Sequence, residues 1–185
     1  LEVIGYILLK ENKFEKAFMF NGRGRNGKSK LLDLMKRLFG IENVCSIPIH
    51  QFENDPYSIG EMLNKMVNLA GDVGQSALKE TETFKQVTGR DVVSANRKFK
   101  NRVTFIPYAK QIFACNQLPA TYDLSDGFWM RWVYLEFPYT FITEEEYEEL
   151  DESQRKNKKK RDTEIIEKIT KPEEMSGLLN KALDG

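Results

Sequence analysis

Eight residues constrain this chain more than any others. Gly22 to Ser29, GRGRNGKS, fit the pattern G-x-x-x-x-G-K-[ST] without a mismatch. An apolar run, KAFMFN at 16–21, precedes them and reads as a strand. KSKLLDLMKRLF at 28–39 follows, with Leu31, Leu32, Leu34, Met35 and Leu38 on one side of a predicted helix and Gly40 as its stop. Strand, glycine loop and helix open a βα unit. The glycines let the backbone turn tightly and bring N–H groups towards an anion, and the helix start adds its unpaired N–H groups and dipole. The loop Gly22, Arg23, Gly24, Arg25, Asn26, Gly27, Lys28, Ser29, Lys30 is therefore the candidate site for a nucleoside triphosphate. Lys28 supplies charge at the terminal phosphates and Ser29 a hydroxyl for Mg²⁺. A glycine-rich surface loop is the bland alternative.

Two further positions extend the site. MVNLAGDV at 66–73 reads as a strand ending at Asp72, where a carboxylate can hold Mg²⁺ opposite Ser29. KQIFACN at 110–116 reads as a strand ending at Asn116, whose amide can reach a γ-phosphate or the attacking water. Either residue alone is also a common strand-end turn residue. Only one acid stands in GDVGQ, so the catalytic base stays open; Glu80 and Glu82 are distant candidates.

The remaining pattern supplies the fold class. Short strands are expected at 42–50 and 131–137, helices at 58–66 (broken by Gly60) and 80–88, and a β-hairpin in DVVSANRKFKNRVTFIP. The order is α/β: a mainly parallel sheet flanked by helices, with an inserted β-hairpin. Residues 1–15 read as an N-terminal helical segment, 16–140 as the P-loop core, and 141–185 as a charged connection, solvated helix or flexible, ending in a helix at 172–183.

Charge cancels, with 28 basic and 28 acidic residues, so a nucleic-acid argument needs local clusters. ANRKFKNR at 95–102 is one. Arg97, Lys98 and Lys100 can neutralise phosphates of single-stranded DNA while Phe99 stacks or wedges; a solvated basic turn is the plainer alternative. The second run, RKNKKKR at 155–161, follows an acidic run and reads as its offset. Trp129 and Trp132 read as core or interface anchors. Cys45 and Cys115, far apart, read as buried thiols of a reduced, cytoplasmic compartment, and one histidine excludes a multi-histidine metal site. No apolar run approaches the ~18 residues of a membrane span. Without an initial methionine, the chain reads as a piece of a longer polypeptide.

The motifs GRGRNGKS, NLAGDV, FKQVTGRDVVSANRKFKNRVTF, IFACNQLP and SDGFWMRWVYLEFP, in that order, resemble a superfamily 3 helicase domain of the phage, plasmid and archaeal-virus primase–helicase type. The resemblance spans the chain. It implies a P-loop NTPase of AAA+ type working as a homo-oligomer, a hexameric ring moving 3′-to-5′ on single-stranded DNA. It also implies that Lys28, Ser29 and Asp72 serve ATP and Mg²⁺, that Asn116 is a polar sensor, that the 95–102 hairpin lies in the ring pore, that Arg131 reaches the neighbouring subunit's ATP, and that Lys85 is a second trans-acting cation. Two other classes stay open: a P-loop phosphotransferase, and a nucleotide-dependent assembly module without turnover.

Overall fold

The computed structural model describes residues 1–71, 73–74 and 78–184. In chain order the elements are α1 (Glu2–Leu8), β1 (Ala17–Asn21), α2 (Lys28–Phe39), β2 (Val44–Cys45), α3 (Gln51–Asn54), β3 (Val67–Ala70), α4 (Glu82–Thr88), β4 (Val93–Arg97) and β5 (Lys100–Phe105). Then follow β6 (Lys110–Cys115), α5 (Asp126–Trp129), β7 (Trp132–Glu136), β8 (Thr140–Ile142), α6 (Glu144–Glu148), β9 (Lys158–Lys160), α7 (Ile165–Ile169) and α8 (Pro172–Leu183).

The main sheet runs β2-β3-β6-β1-β7, and every pairing in it is parallel. Alternation along β1 splits the core in two. Ala17 and Met19 pack with Phe52, Phe84 and Phe113 on one face; Phe18 and Phe20 pack with Ile7, Leu32 and Met35 on the other. The middle strand β6 is buried at all six positions, as expected where both faces are covered. On the first face Phe84 stacks on Trp132 with 4.6 Å between ring centroids, tying α4 to β7. On the second face α1 meets α8 so closely that a Cβ at Gly5 would run into the Ala182 carbonyl. Among the described residues, no helix is long and apolar enough to cross a membrane.

Three expectations need revision. The strand expected at 42–50 shrinks to Val44–Cys45, because the chain beyond it bonds to a side chain rather than to a strand. Asn68 accepts from the Ile47 N–H at 2.7 Å and donates to the Ile47 carbonyl at 2.9 Å, and Pro48 has no N–H for a ladder. The helix expected at 58–66 is a 3₁₀ turn, Ser58–Met62, with α3 a separate helix before it. Asn64 at φ 62° leaves the helical region, and the β4 backbone lies against Gly60. Residues 141–160 are folded rather than a solvated helix or flexible connection: β8 and β9 form a parallel ladder around α6. The α6 start is fixed by a capping box between Thr143 and Glu146.

Candidate functional site

The glycine loop leaves β1 at the C-terminal edge of the sheet. Its first N–H, from Gly22, donates to the Cys115 carbonyl at 3.3 Å. A Cβ at Gly22 would sit 2.6 Å from the Phe137 carbonyl oxygen, so the strand-to-loop turn admits only glycine. Gly27 caps α2 in the left-handed region at φ 86°, and Arg25 also has positive φ. Arg23, Gly24, Arg25, Ser29 and Lys30 are exposed, whereas Asn26 and Lys28 are buried.

Lys28 is the centre of this arrangement. Its Nζ donates to the Gly22 carbonyl, to Asn26 Oδ1 at 3.2 Å and to Asn116 Oδ1 at 3.2 Å. Asn116 follows Cys115, which is level with Asn21 in the parallel register, so the end of β6 meets the start of the loop. Lys28 and Asn116, two separate sequence predictions, thus share one site. Asp72 lies outside the described residues. The next residue, Val73, donates its N–H to the Ala114 carbonyl at 2.8 Å, which keeps the chain after β3 beside β6. Burial pushes the Cys115 thiol up, against the pull of the Lys28 charge.

The 137–146 stretch also touches the loop, which the sequence reading did not anticipate. The Phe141 N–H donates to the Arg25 carbonyl at 2.7 Å, and its ring lies 3.4 Å from where a Gly27 Cβ would be. Arg25 pairs with Glu146 at 3.0 Å. Hydrogen bonding to the Thr143 backbone, then Arg25, holds the Glu146 carboxyl below its usual range. The capping-box pattern Thr143-x-x-Glu146 signals the helix start there, but nothing local signals its contact with Arg25.

Arg131 and Lys85 lie elsewhere. Arg131 precedes Trp132, which pairs with Ala17, whereas the loop follows Asn21 at the opposite end of β1, about 13 Å away along the strand. The Arg131 guanidinium donates to the Gly127 carbonyl and to Glu15 Oε2 at 3.4 Å. Lys85 Nζ is 3.0 Å from Asp123 Oδ2. Hydrogen bonds from Ser125 and Thr81, and then Lys85, keep the Asp123 carboxyl far below the ordinary carboxylate range.

The expected hairpin forms from β4 and β5, antiparallel, with Lys98 and Phe99 as its turn. Phe99 is 94% exposed at φ 58°, and Lys98 Nζ stands 5.5 Å from its ring centroid. A cleft of about 530 Å³ runs along the hairpin, lined by Arg97, Lys98, Lys100, Lys65 and Tyr57. A Cβ at Gly60 would meet the Asn96 carbonyl at 2.5 Å, so glycine lets the hairpin sit against the 3₁₀ turn. Lys160 of the second basic run pairs with Glu144 at 2.8 Å and with Glu148 at 2.5 Å.

A protein-family model described as "Family of unknown function (DUF5906)" matches residues 20–131, from the end of β1 to Arg131. The chain belongs to this family. It is also 28% identical over 152 residues to a protein of Acanthamoeba polyphaga mimivirus named "Putative helicase L207/L206". That match covers 79% of this chain but spans only 16% of the mimivirus protein. Two solved structures of the NrS-1 C-terminal region share the fold. One has a TM-score of 0.67 at 18% identity, over 98% of this chain and 40% of that one. The other has a TM-score of 0.59 at 19% identity, over 98% and 38%.

Proposed function

We propose that this member of the DUF5906 family is the motor domain of an ATP-driven DNA helicase of superfamily 3, an AAA+ type ATPase acting as a ring on single-stranded DNA. The observation that carries the reading is the meeting of Lys28 and Asn116 at the carboxyl ends of adjacent parallel strands, beneath an exposed glycine loop. A cation, an amide that both donates and accepts, and a helix N-terminus converge where a triphosphate would lie. The mimivirus relative's name points the same way.

The residue roles follow from this chemistry. Lys28 and the loop Gly22–Lys30 bind the phosphates, and Asn116 orients the γ-phosphate or the attacking water. Among the described residues, no group of three His, Cys, Asp or Glu side chains could hold a metal. A magnesium ion would be held by Ser29, Asp72 and the nucleotide's own oxygens, where it would supply charge neutralisation. Arg131 lies at the opposite end of β1 from its own loop, in keeping with action on a neighbouring copy's nucleotide; Lys85 is proposed as a second cation of that interface. Arg97, Lys98, Phe99 and Lys100 contact DNA. The motor core is residues 16–140, with 1–15 and 141–185 packed around it.

The test is strand displacement from a 3′-tailed duplex in the presence of ATP and Mg²⁺. The wild-type assembly separates the strands and Lys28→Ala does not. An assembled wild-type protein that hydrolyses ATP but never displaces a strand contradicts the helicase role.

A further inference from the structure

Three consecutive residues lace the Arg131 turn to the body of the protein. The Ala17 N–H donates to the Arg131 carbonyl at 2.8 Å, Lys16 Nζ donates to the Met130 carbonyl, and Glu15 Oε2 accepts from Arg131 Nη2 at 3.4 Å. The turn carrying Glu15 is itself anchored. The Glu15 N–H donates to the Asn12 carbonyl at 3.1 Å, and the buried Asn12 amide donates to the carbonyls of Val87, Gly89 and Pro107. Glu15 adopts φ 53°, an uncommon backbone state for a residue with a side chain, and one that persists where the surroundings enforce it. Its other oxygen lies 4.0 Å from Arg90 Nε.

We infer that Glu15 is a positioning residue for Arg131, holding its guanidinium ready for the nucleotide of a second copy of this chain. This rests on the trans role proposed for Arg131. A guanidinium carries five N–H donors in a rigid fork. Among the described residues, Nη1 has the Gly127 carbonyl as acceptor, Nη2 has Glu15, and the buried Nε has none. One hydrogen on each terminal nitrogen thus remains to be offered to phosphoryl oxygens, which arginine binds best through two donors at once. The Arg131 side chain is 19% exposed, so its freedom is already restricted before any partner arrives. An arginine fixed in advance loses less on engaging a transition state than one that must be ordered then.

The experiment compares Glu15→Gln, Arg131→Ala and the double variant in steady-state ATP hydrolysis with single-stranded DNA, at concentrations where sedimentation shows assembly. Glu15→Gln should lower kcat about ten- to a hundredfold, leaving KM for ATP and the melting temperature unchanged. The double variant should be no slower than Arg131→Ala alone. Mixing Glu15→Gln with Lys28→Ala protein should restore turnover, because intact Glu15 and Arg131 then face intact nucleotide loops. Should Glu15→Gln unfold, Glu15→Asp, which keeps the charge and shortens its reach, is read in the same way. Wild-type or raised kcat in the Glu15 variants beside an inactive Arg131→Ala overturns the inference and leaves the proposed function standing. Undiminished turnover in Arg131→Ala, or hydrolysis by a protein that never assembles, overturns the trans role itself.

Discussion

Lys28 and Asn116 lie 88 positions apart in the chain, yet their side chains meet at 3.2 Å, one at the start of α2 and the other just beyond β6. Parallel pairing of β1 and β6 makes this possible, because it puts the carboxyl ends of both strands at the same sheet edge. Lys28→Ala removes the cation and should abolish ATP hydrolysis. Asn116→Ala leaves the loop intact and should lower kcat about a hundredfold with little change in KM. Stopped-time phosphate release on both variants checks the split; a raised KM with unchanged kcat for Asn116→Ala contradicts the assigned role.

The hairpin tip gives an ionic-strength prediction. Replacing both Lys98 and Lys100 by alanine should weaken binding to a single-stranded oligonucleotide, and the slope of log affinity against log salt should become shallower by about 1.4. Fluorescence anisotropy across a salt series measures it. An unchanged slope places the DNA contacts elsewhere.

Lys110 provides a pH dependence. It is fully buried beside Tyr6, and its Nζ donates to the carbonyls of Leu9 and Tyr108. Burial pulls its pKa down to about 8 from an ordinary 10.5. The unfolded chain therefore holds this proton over a pH range where the folded one has lost it, so Lys110 adds to stability as pH rises from about 8 to 10.5. Urea unfolding at pH 7 and pH 10 should show the wild type gaining about 2 to 3 kcal/mol relative to Lys110→Met. Parallel pH profiles for the two proteins contradict the assignment.

The two thiols should be inert in the folded protein. Cys45 is buried and its pKa is pushed up to about 12, and burial raises that of Cys115 as well. Iodoacetamide at pH 8 should label neither cysteine in the native protein and both in urea, read by intact mass. Rapid native labelling contradicts the burial of either thiol.

What the sequence revealed was mostly local. The helix expected at 28–39 forms as Lys28–Phe39, because its apolar spacing, Gly27 and Gly40 all lie within one short stretch. The hairpin was legible from two β-prone runs around a basic centre. Long-range substitutions for ordinary pairing were hidden. Asn68 replaces a strand partner for Ile47, which shortens β2, and no local pattern announces that. The β8–β9 ladder uses three lysines, residues of poor strand propensity, of which Lys160 pairs with Glu144 and Glu148 of α6. Arg25 gave no sign in the sequence that it pairs with Glu146, 121 positions away. The Glu15–Arg131 pair was hidden for the same reason.

The most direct test of the Lys28–Asn116 site as a DNA-driven ATPase is steady-state phosphate release with and without single-stranded DNA, in protein shown to be assembled. Turnover that rises with DNA, and loses that rise in the Lys98→Ala, Lys100→Ala double variant, is the predicted result. Turnover indifferent to DNA in the assembled wild type would contradict the account and favour a phosphotransferase or assembly role for the same loop.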